Sequence, residues 1–439
     1  MATQESATCM PALVWGDVSG RPTFAAWLSE YEKIGNDYLE SLKACGIDFA
    51  SRGADAAERQ AVRCRLAEKG ASMRLGGASV SCGPLSSACM ACAADAGSRT
   101  FFLSLACNRH CYFCFNRNQE DFEAHRHLKC DWRDELDEFL DGPVPATHIA
   151  LTGGEPLLHA DEAVAFIERA HRKAQNCHVR LYTDGDFLNE ALLARLRDAG
   201  LTELRLSIKP DEPDAVAEAC DRLALAKEFI PQVMVEMPVI PGTDEEMQQL
   251  LLKLDDLGIF GINLLEFGYP MGNWEPFAKR GFRIANPPFA IAYNYTYAGG
   301  LPVAGSELAC LRLVEFALDR ELKIGVHYCS LENKNRMQMH QQNSQARLDE
   351  RLWEFDGEDF FWKTAKVFDG DIAQATRFLQ TLGAPWAADE VEASIQFHPK
   401  YACALASQAN APVVAISYNA LERSAEGLFV RELGLFPAR

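Results

Sequence analysis

No stretch of this 439-residue chain approaches about 18 consecutive apolar residues, and its opening, "MATQESATCMPALVWGDVSG", lacks the basic and apolar regions of a secretory leader. Both absences argue against membrane insertion and export, so the expectation is a soluble, cytoplasmic protein. Positive charge is also scarce. The 43 Lys and Arg stand against 62 Asp and Glu, a formal charge of −19, which argues against broad phosphate neutralisation and disfavours a nucleic-acid partner. Basic residues in "HRHLK" and "KNRMQMHQQNSQAR" read better as solvated faces, the second within a polar stretch that reads as a substrate-facing loop or a mobile surface linker. Low-complexity tracts are missing as well. Cysteine, by contrast, is plentiful. Fifteen thiols in a reducing compartment do not suggest a disulfide framework, whereas clustered thiols there more often hold metal.

With 48% hydrophobic residues the chain can bury one large core with appendages, or two to three domains. Residues 1 to about 80 read as mostly helical: Phe24, Trp27, Tyr31, Ile34, Tyr38 and Leu42 recur at helical spacing before a capping Gly46. The Gly, Ser and Cys-rich passage that follows, "GGASVSCGPLSSACMACAADAGS", is expected to be irregular and anchored by something other than a core. From Arg99 onward β-rich runs alternate with helical ones, in the order "TFFLSLAC", "HIALTGG", "HVRLYTDG", "ELRLSIKP", "QVMVEMPVIPG" and "FGINLLEFG". Such alternation is the signature of parallel βα units, and continuous apolar strands would suit a sheet covered on both faces. "LKIGVHYCS" supplies a candidate seventh strand. Beyond it, "RLDERLWEFDGEDFFWKTAKVFDGDIAQATRFLQTLG" reads as helical and "SIQFHPKYACALASQANAPVVAISY" as a source of strands.

In parallel βα architectures, chemistry sits where strands give way to loops. The residues at those places are Cys107 to Cys114, Thr152 to Pro156, Thr183 to Gly185, then Ser207, Lys209 and Asp211, Pro241 to Thr243, and Glu266. Cys107, Cys111 and Cys114 form a C-x3-C-x2-C run, unlike the paired knuckles that close a four-ligand zinc site, although a zinc site is an alternative reading of the spacing alone. Three cysteines on one loop can hold three corners of a [4Fe-4S] cube and leave its fourth iron open.

That run, with Phe113 before its third cysteine and Gly153-Gly154-Glu155-Pro156 one βα unit later, resembles the radical S-adenosylmethionine (SAM) superfamily over about Arg99 to Pro270. The resemblance implies an α/β fold, a partial parallel (β/α)6-type barrel over 99–305, with an N-terminal helical region over 1–98 and a mixed C-terminal extension over 306–439. It implies that Cys107, Cys111 and Cys114 hold a [4Fe-4S] cluster whose open iron chelates SAM. By the same resemblance Phe113 packs by the adenine, and Gly153, Gly154 and Glu155 bind the methionine amino group. Lys209 or Arg205 would face the SAM carboxylate, Ser207 the ribose, and "VIPGTDEE" the adenine. An external one-electron donor such as flavodoxin or ferredoxin is implied, and with it reductive cleavage of SAM to a 5'-deoxyadenosyl radical that abstracts a hydrogen.

Cys82, Cys89 and Cys92, with Cys329 as a fourth thiol, are expected to hold an auxiliary iron-sulfur cluster; a structural zinc and ordinary reduced cysteines are the alternatives. Cys9, Cys45, Cys64, Cys177, Cys220 and Cys403 read as isolated core thiols. For substrate, the long flanking regions favour a peptide or protein. A small metabolite, activation of a glycyl-radical enzyme, and a non-catalytic iron-sulfur or zinc protein are the other readings. Glu266, Tyr328, Asp184 and Glu236 are the candidates to face substrate.

Overall fold

The computed structural model describes residues 15, 18, 20–92, 97–119, 121–209, 213–270, 273–289, 300–408, 410–425 and 427–438. Cys9 and Asp211 lie outside them. The chain divides into two compact units, one of residues 53–285 and 297–334, the other of residues 1–52, 286–296 and 335–439. No helix among the described residues is long and apolar enough to cross a membrane.

The first unit is built on a nine-stranded sheet. Its strands are β1 (Ser72–Arg74), β2 (Ser79–Cys82), β3 (Ser98–Phe102), β4 (His148–Thr152), β5 (His178–Thr183), β6 (Glu203–Leu206), β7 (Gln232–Val239), β8 (Gly261–Glu266) and β11 (Gly325–Cys329). A separate antiparallel pair is formed by β9 (Gly268–Pro270) and β10 (Gly300–Pro302). Across the sheet the order is β1-β2-β11-β8-β7-β6-β5-β4-β3, with every neighbour parallel from β3 to β11. The path has two ends, so the barrel is partial, as expected, and "GVHYC" does supply the seventh parallel strand.

Two local expectations are corrected here. The Gly and Ser-rich passage is not wholly irregular: β2 pairs antiparallel with β11, and β1 with β2. Long-range pairing with β11 orders a segment whose composition gave no strand signal, and Val80 is fully buried in the result. Nor are the strands apolar on both faces. Ile149, Leu151, Val179, Leu181, Leu204, Leu206, Val235, Ile262, Leu264, Val326 and Tyr328 pack under the connecting helices in one cluster with Phe166, Leu193, Leu251 and Leu311. Intervening positions, pointing the other way by the two-residue period of a strand, carry His178, Arg180, Tyr182, Glu203, Arg205, Glu236, Asn263 and His327. The outer face is a core; the inner face is a buried polar layer.

The second unit holds a six-stranded antiparallel sheet of β12 (Glu354–Phe355), β13 (Trp362–Phe368), β14 (Trp386–Asp389), β15 (Ser394–Phe397), β16 (Ala415–Ser424) and β17 (Gly427–Pro437). The helix Ile372–Thr381 packs Ala375 and Leu379 against Val367 and Phe397, and the helix Pro22–Ala44 sets Phe24 against Phe368 and Leu435. The run from Arg347 to Gly383, expected to be helical, is therefore largely strand and turn before Ile372. Every residue of β13 is buried, and its Lys366 reaches Glu392 and Glu432, each at 2.7 Å. A strand covered on both faces mimics a helical pattern in sequence. The polar stretch after Cys329, expected to be a loop, is a helix, Leu331–Asn343.

Candidate active site

The loop that leaves β3 runs straight into the three cysteines, and the loop that leaves β4 lies against it. Gly154 N–H donates to Ser104 O (3.0 Å) and Glu155 N–H to Ala106 O (2.7 Å). A Cβ at Gly154 would stand 1.9 Å from Ala106 O, and one at Gly153, whose φ is +119°, would stand 2.5 Å from Ser104 O. The paired glycines are thus required for the two loops to touch. Their carbonyl side is also engaged, since Asn116 Nδ2 donates to Gly153 O at 2.5 Å.

Cys107, Cys111 and Cys114 line one cavity with Gly154, Leu105 and Phe122. Its charged lining is basic, from Arg109, Arg117 and Arg126, with His110 beside them and no carboxylate among the described residues. Burial pushes the Cys107 thiol up to about 11, although the Arg109 backbone N–H donates to its sulfur at 3.4 Å. Burial also raises Cys111, against the pull of Lys209. Three thiols on one basic-walled cavity fit an anionic iron-sulfur cluster with three protein ligands: the donor set suits it and the walls compensate its charge.

Two side chains absent from the sequence-derived candidates fix the cysteine loop. Arg109, between the first two cysteines, donates to Asp186 through Nε (2.9 Å) and Nη2 (2.5 Å). Asp186 also receives Asn108 Nδ2 at 2.7 Å and pairs with Arg222 at 3.0 Å. Asp184 Oδ2 lies 3.3 Å from Arg109 Nε as an ion pair without an aligned hydrogen bond. The only hint in the sequence was the arginine enclosed by the motif.

Glu155 is buried, and its oxygens accept Leu157 N–H (2.9 Å), Thr183 Oγ1–H (2.8 Å) and Asp184 N–H (2.7 Å). Burial, and then Asp184, push its carboxyl up to about 8. As placed, it ties the end of β5 to the glycine turn. Phe113 meets Tyr112 and Phe267 edge-on at 5.0 and 6.0 Å. Ser207 is exposed just beyond β6, and Lys209 is close enough to Cys111 to act on its thiol. Arg205 does not stand with Lys209. It is buried on the inner face, paired with Glu203 and Glu236 at 2.5 Å each, so those carboxylates, rather than a SAM carboxylate, answer its charge.

Glu266 and Tyr328 are not brought to the cysteine cavity. Glu266 accepts Leu331 N–H at 2.8 Å, and Tyr328 is packed in the core under the helix Ser306–Asp319. Of the other thiols, Cys82 also lies on that helix-covered face, its sulfur toward Val314 O at 3.9 Å. Cys89 and Cys329 turn inward, toward Arg205 and Asn333.

Residues 102–254 match the family profile described as the radical SAM superfamily. The chain is 27% identical over 253 residues, 55% of its length and 63% of the relative's, to a Methanocaldococcus jannaschii protein described as a glycyl-radical enzyme activating enzyme. It is 30% identical over 175 residues to the GTP 3',8-cyclase of Nautilia profundicola, covering 38% of this chain and 50% of that one. The chain thus spans between half and under two thirds of these curated relatives. Among solved structures, Streptococcus suis SuiB bound to S-adenosylmethionine is similar with a TM-score of 0.34 and 15% identity, over 40% of this chain and 42% of that one. The C-x3-C-x2-C loop and the GGEP turn thus pack together inside the segment, residues 102–254, that matches the radical SAM superfamily profile.

Proposed function

We propose that this protein binds SAM at a [4Fe-4S] cluster held by Cys107, Cys111 and Cys114 and acts on a peptide or protein substrate. The single observation that carries the reading is the shared basic cavity of the three thiols against Gly154. When bound, cluster and SAM together supply a 5'-deoxyadenosyl radical that takes a hydrogen atom from substrate. The chain's own part is positional. Gly153 and Gly154 hold the two loops in contact, Arg109 and Asp186 fix the cysteine loop to the end of β5, and Lys209 offers a cation beside Cys111 for the SAM carboxylate. Phe113, flanked by Tyr112 and Phe267, offers an apolar surface for a purine. An external one-electron donor of the flavodoxin or ferredoxin kind completes the reaction.

Two features support a macromolecular substrate. One curated relative is described as activating another enzyme. In the second unit β17, eleven residues long, pairs among the described residues with β16 alone and leaves Leu428, Phe429 and Val430 exposed, an edge able to accept an extended peptide as a further strand. The name of the other relative, a nucleotide cyclase, keeps a small metabolite as the second reading. Anaerobic incubation with SAM and dithionite tests the core of the proposal. Wild type should release 5'-deoxyadenosine and Cys107→Ala should not; a cluster-loaded wild type that releases none would refute it.

A further inference from the structure

The inner face of the sheet brings together thiols that the sequence separates. Cys329 ends β11 on the inward side, in register with Ser79 of β2. The segment that follows β2 folds back across the same face: Ser86 Oγ donates to Glu203 at 2.5 Å, Ser87 Oγ is 3.2 Å from His148 Nε2, and the short helix Ser87–Ala91 presents Cys89 to the layer. Each of two buried sulfurs there receives an N–H. Arg205 Nη2 donates to Cys89 Sγ at 3.4 Å, and Asn333 Nδ2 donates to Cys329 Sγ at 3.3 Å. Cys92, exposed, caps the same helix three residues beyond Cys89. Cys82 is excluded by strand parity, being opposite Val326 on the helix-covered face.

We propose that Cys89, Cys92 and Cys329 hold a second iron-sulfur cluster on the inner face of the sheet, with Arg205 and Asn333 as its sulfur-directed donors. Placing amide and guanidinium donors on ligand sulfurs is how a protein offsets thiolate charge and tunes a cluster. Burying bare thiols in a polar layer achieves neither. Among the described residues no three His, Cys, Asp or Glu side chains are grouped as a metal site, here or at Cys107, Cys111 and Cys114, so metal and sulfide analysis rather than spacing separates a cluster from zinc.

The test is anaerobic reconstitution of the full chain with iron and sulfide, followed by iron, sulfide and zinc analysis and electron paramagnetic resonance after dithionite. The Cys107→Ala/Cys111→Ala/Cys114→Ala variant should keep about half of the wild-type iron, as expected for one of two four-iron clusters. Cys89→Ala/Cys329→Ala should keep the complementary half, and Cys82→Ala all of it. Loss of all iron from the first variant overturns the proposal, as does zinc without sulfide, or dependence of the retained iron on Cys82 rather than Cys89. Iron lost only with Cys89 and Cys329, and unaffected by the Cys107 set, would support this site while refuting the one at Cys107. If the double variant fails to fold, Asn333→Leu serves instead. Loss of an N–H···S bond should lower the reduction potential of the signal retained by the first variant, and an unmoved potential overturns the assignment.

Discussion

Gly154 and Ala106 approach so closely that a single methyl group on the glycine would overlap the alanine's carbonyl oxygen, at 1.9 Å. The atom met is backbone, so no rotamer change can relieve the clash. Gly154→Ala must part the two loops and break the bonds of Gly154 to Ser104 and of Glu155 to Ala106. We expect a cost of roughly 1–3 kcal/mol, typical of overpacking, together with loss of the iron bound at Cys107, Cys111 and Cys114. Urea unfolding and iron analysis of the reconstituted variant measure the two effects.

Asp186 gathers Asn108, Arg109 and Arg222, and so holds the first half of the cysteine loop against β5. Asp186→Ala should cost about 1–2 kcal/mol, in the range of charge-assisted hydrogen bonds at partly buried sites. The more telling effect is on lability. The variant should take up iron anaerobically but release it to a chelator faster than wild type, with Asp186→Glu in between; equal release rates would show that the clamp is not needed.

The two motifs that matter most were legible because each is local: three cysteines on one loop, and four residues at one turn. The βα period was legible for the same reason. What escaped was set by pairings distant in sequence. β2 becomes a strand through β11, some 245 residues later, and only that register separates Cys82 from Cys89 and Cys329. The inward polar face was written in "HVRLYT" as an alternation, but burying Arg180 and Arg205 there required partners on neighbouring elements that spacing does not reveal. Arg109 takes its role only from Asp186, which the fold sets opposite it.

Glu266 gives a pH test that separates packing from substrate contact. Burial, and then Glu307, push its carboxyl up to about 7. An acid whose folded value is raised binds more protons folded than unfolded, so its contribution to stability falls as pH rises from about 4.5 to about 7. Glu266→Gln, neutral throughout, should flatten that part of the profile and be more stable than wild type above pH 7. Thermal unfolding across pH 5 to 8 measures this. Deoxyadenosine release should be unchanged, and a collapse of release in a folded variant would restore Glu266 as a substrate contact.

Arg205 and Lys209, four residues apart, should fail in different ways. Arg205 is 2% exposed between Glu203 and Glu236. Burial works to raise Glu203, yet Arg205 and His178 hold it down at about 2, so the carboxylate depends on its cation. Arg205→Met takes the guanidinium from buried Glu203 and half-buried Glu236, leaving His178 and Ser86 at the first and Asn263 at the second, and should cost about 3–5 kcal/mol, as removing one partner of a buried ion pair does. Arg205→Lys should recover only part of this, because a point charge cannot serve Glu203, Glu236, Ser86 and Cys89 from one fork. Lys209→Ala, at the loop beyond β6, should unfold like wild type but need more SAM to reach half-maximal deoxyadenosine release. Unfolding curves and SAM titrations of the two variants decide the matter: an unchanged SAM requirement for Lys209→Ala removes it from the SAM site, and a stable Arg205→Met would mean that the inner polar layer does not rest on its charge.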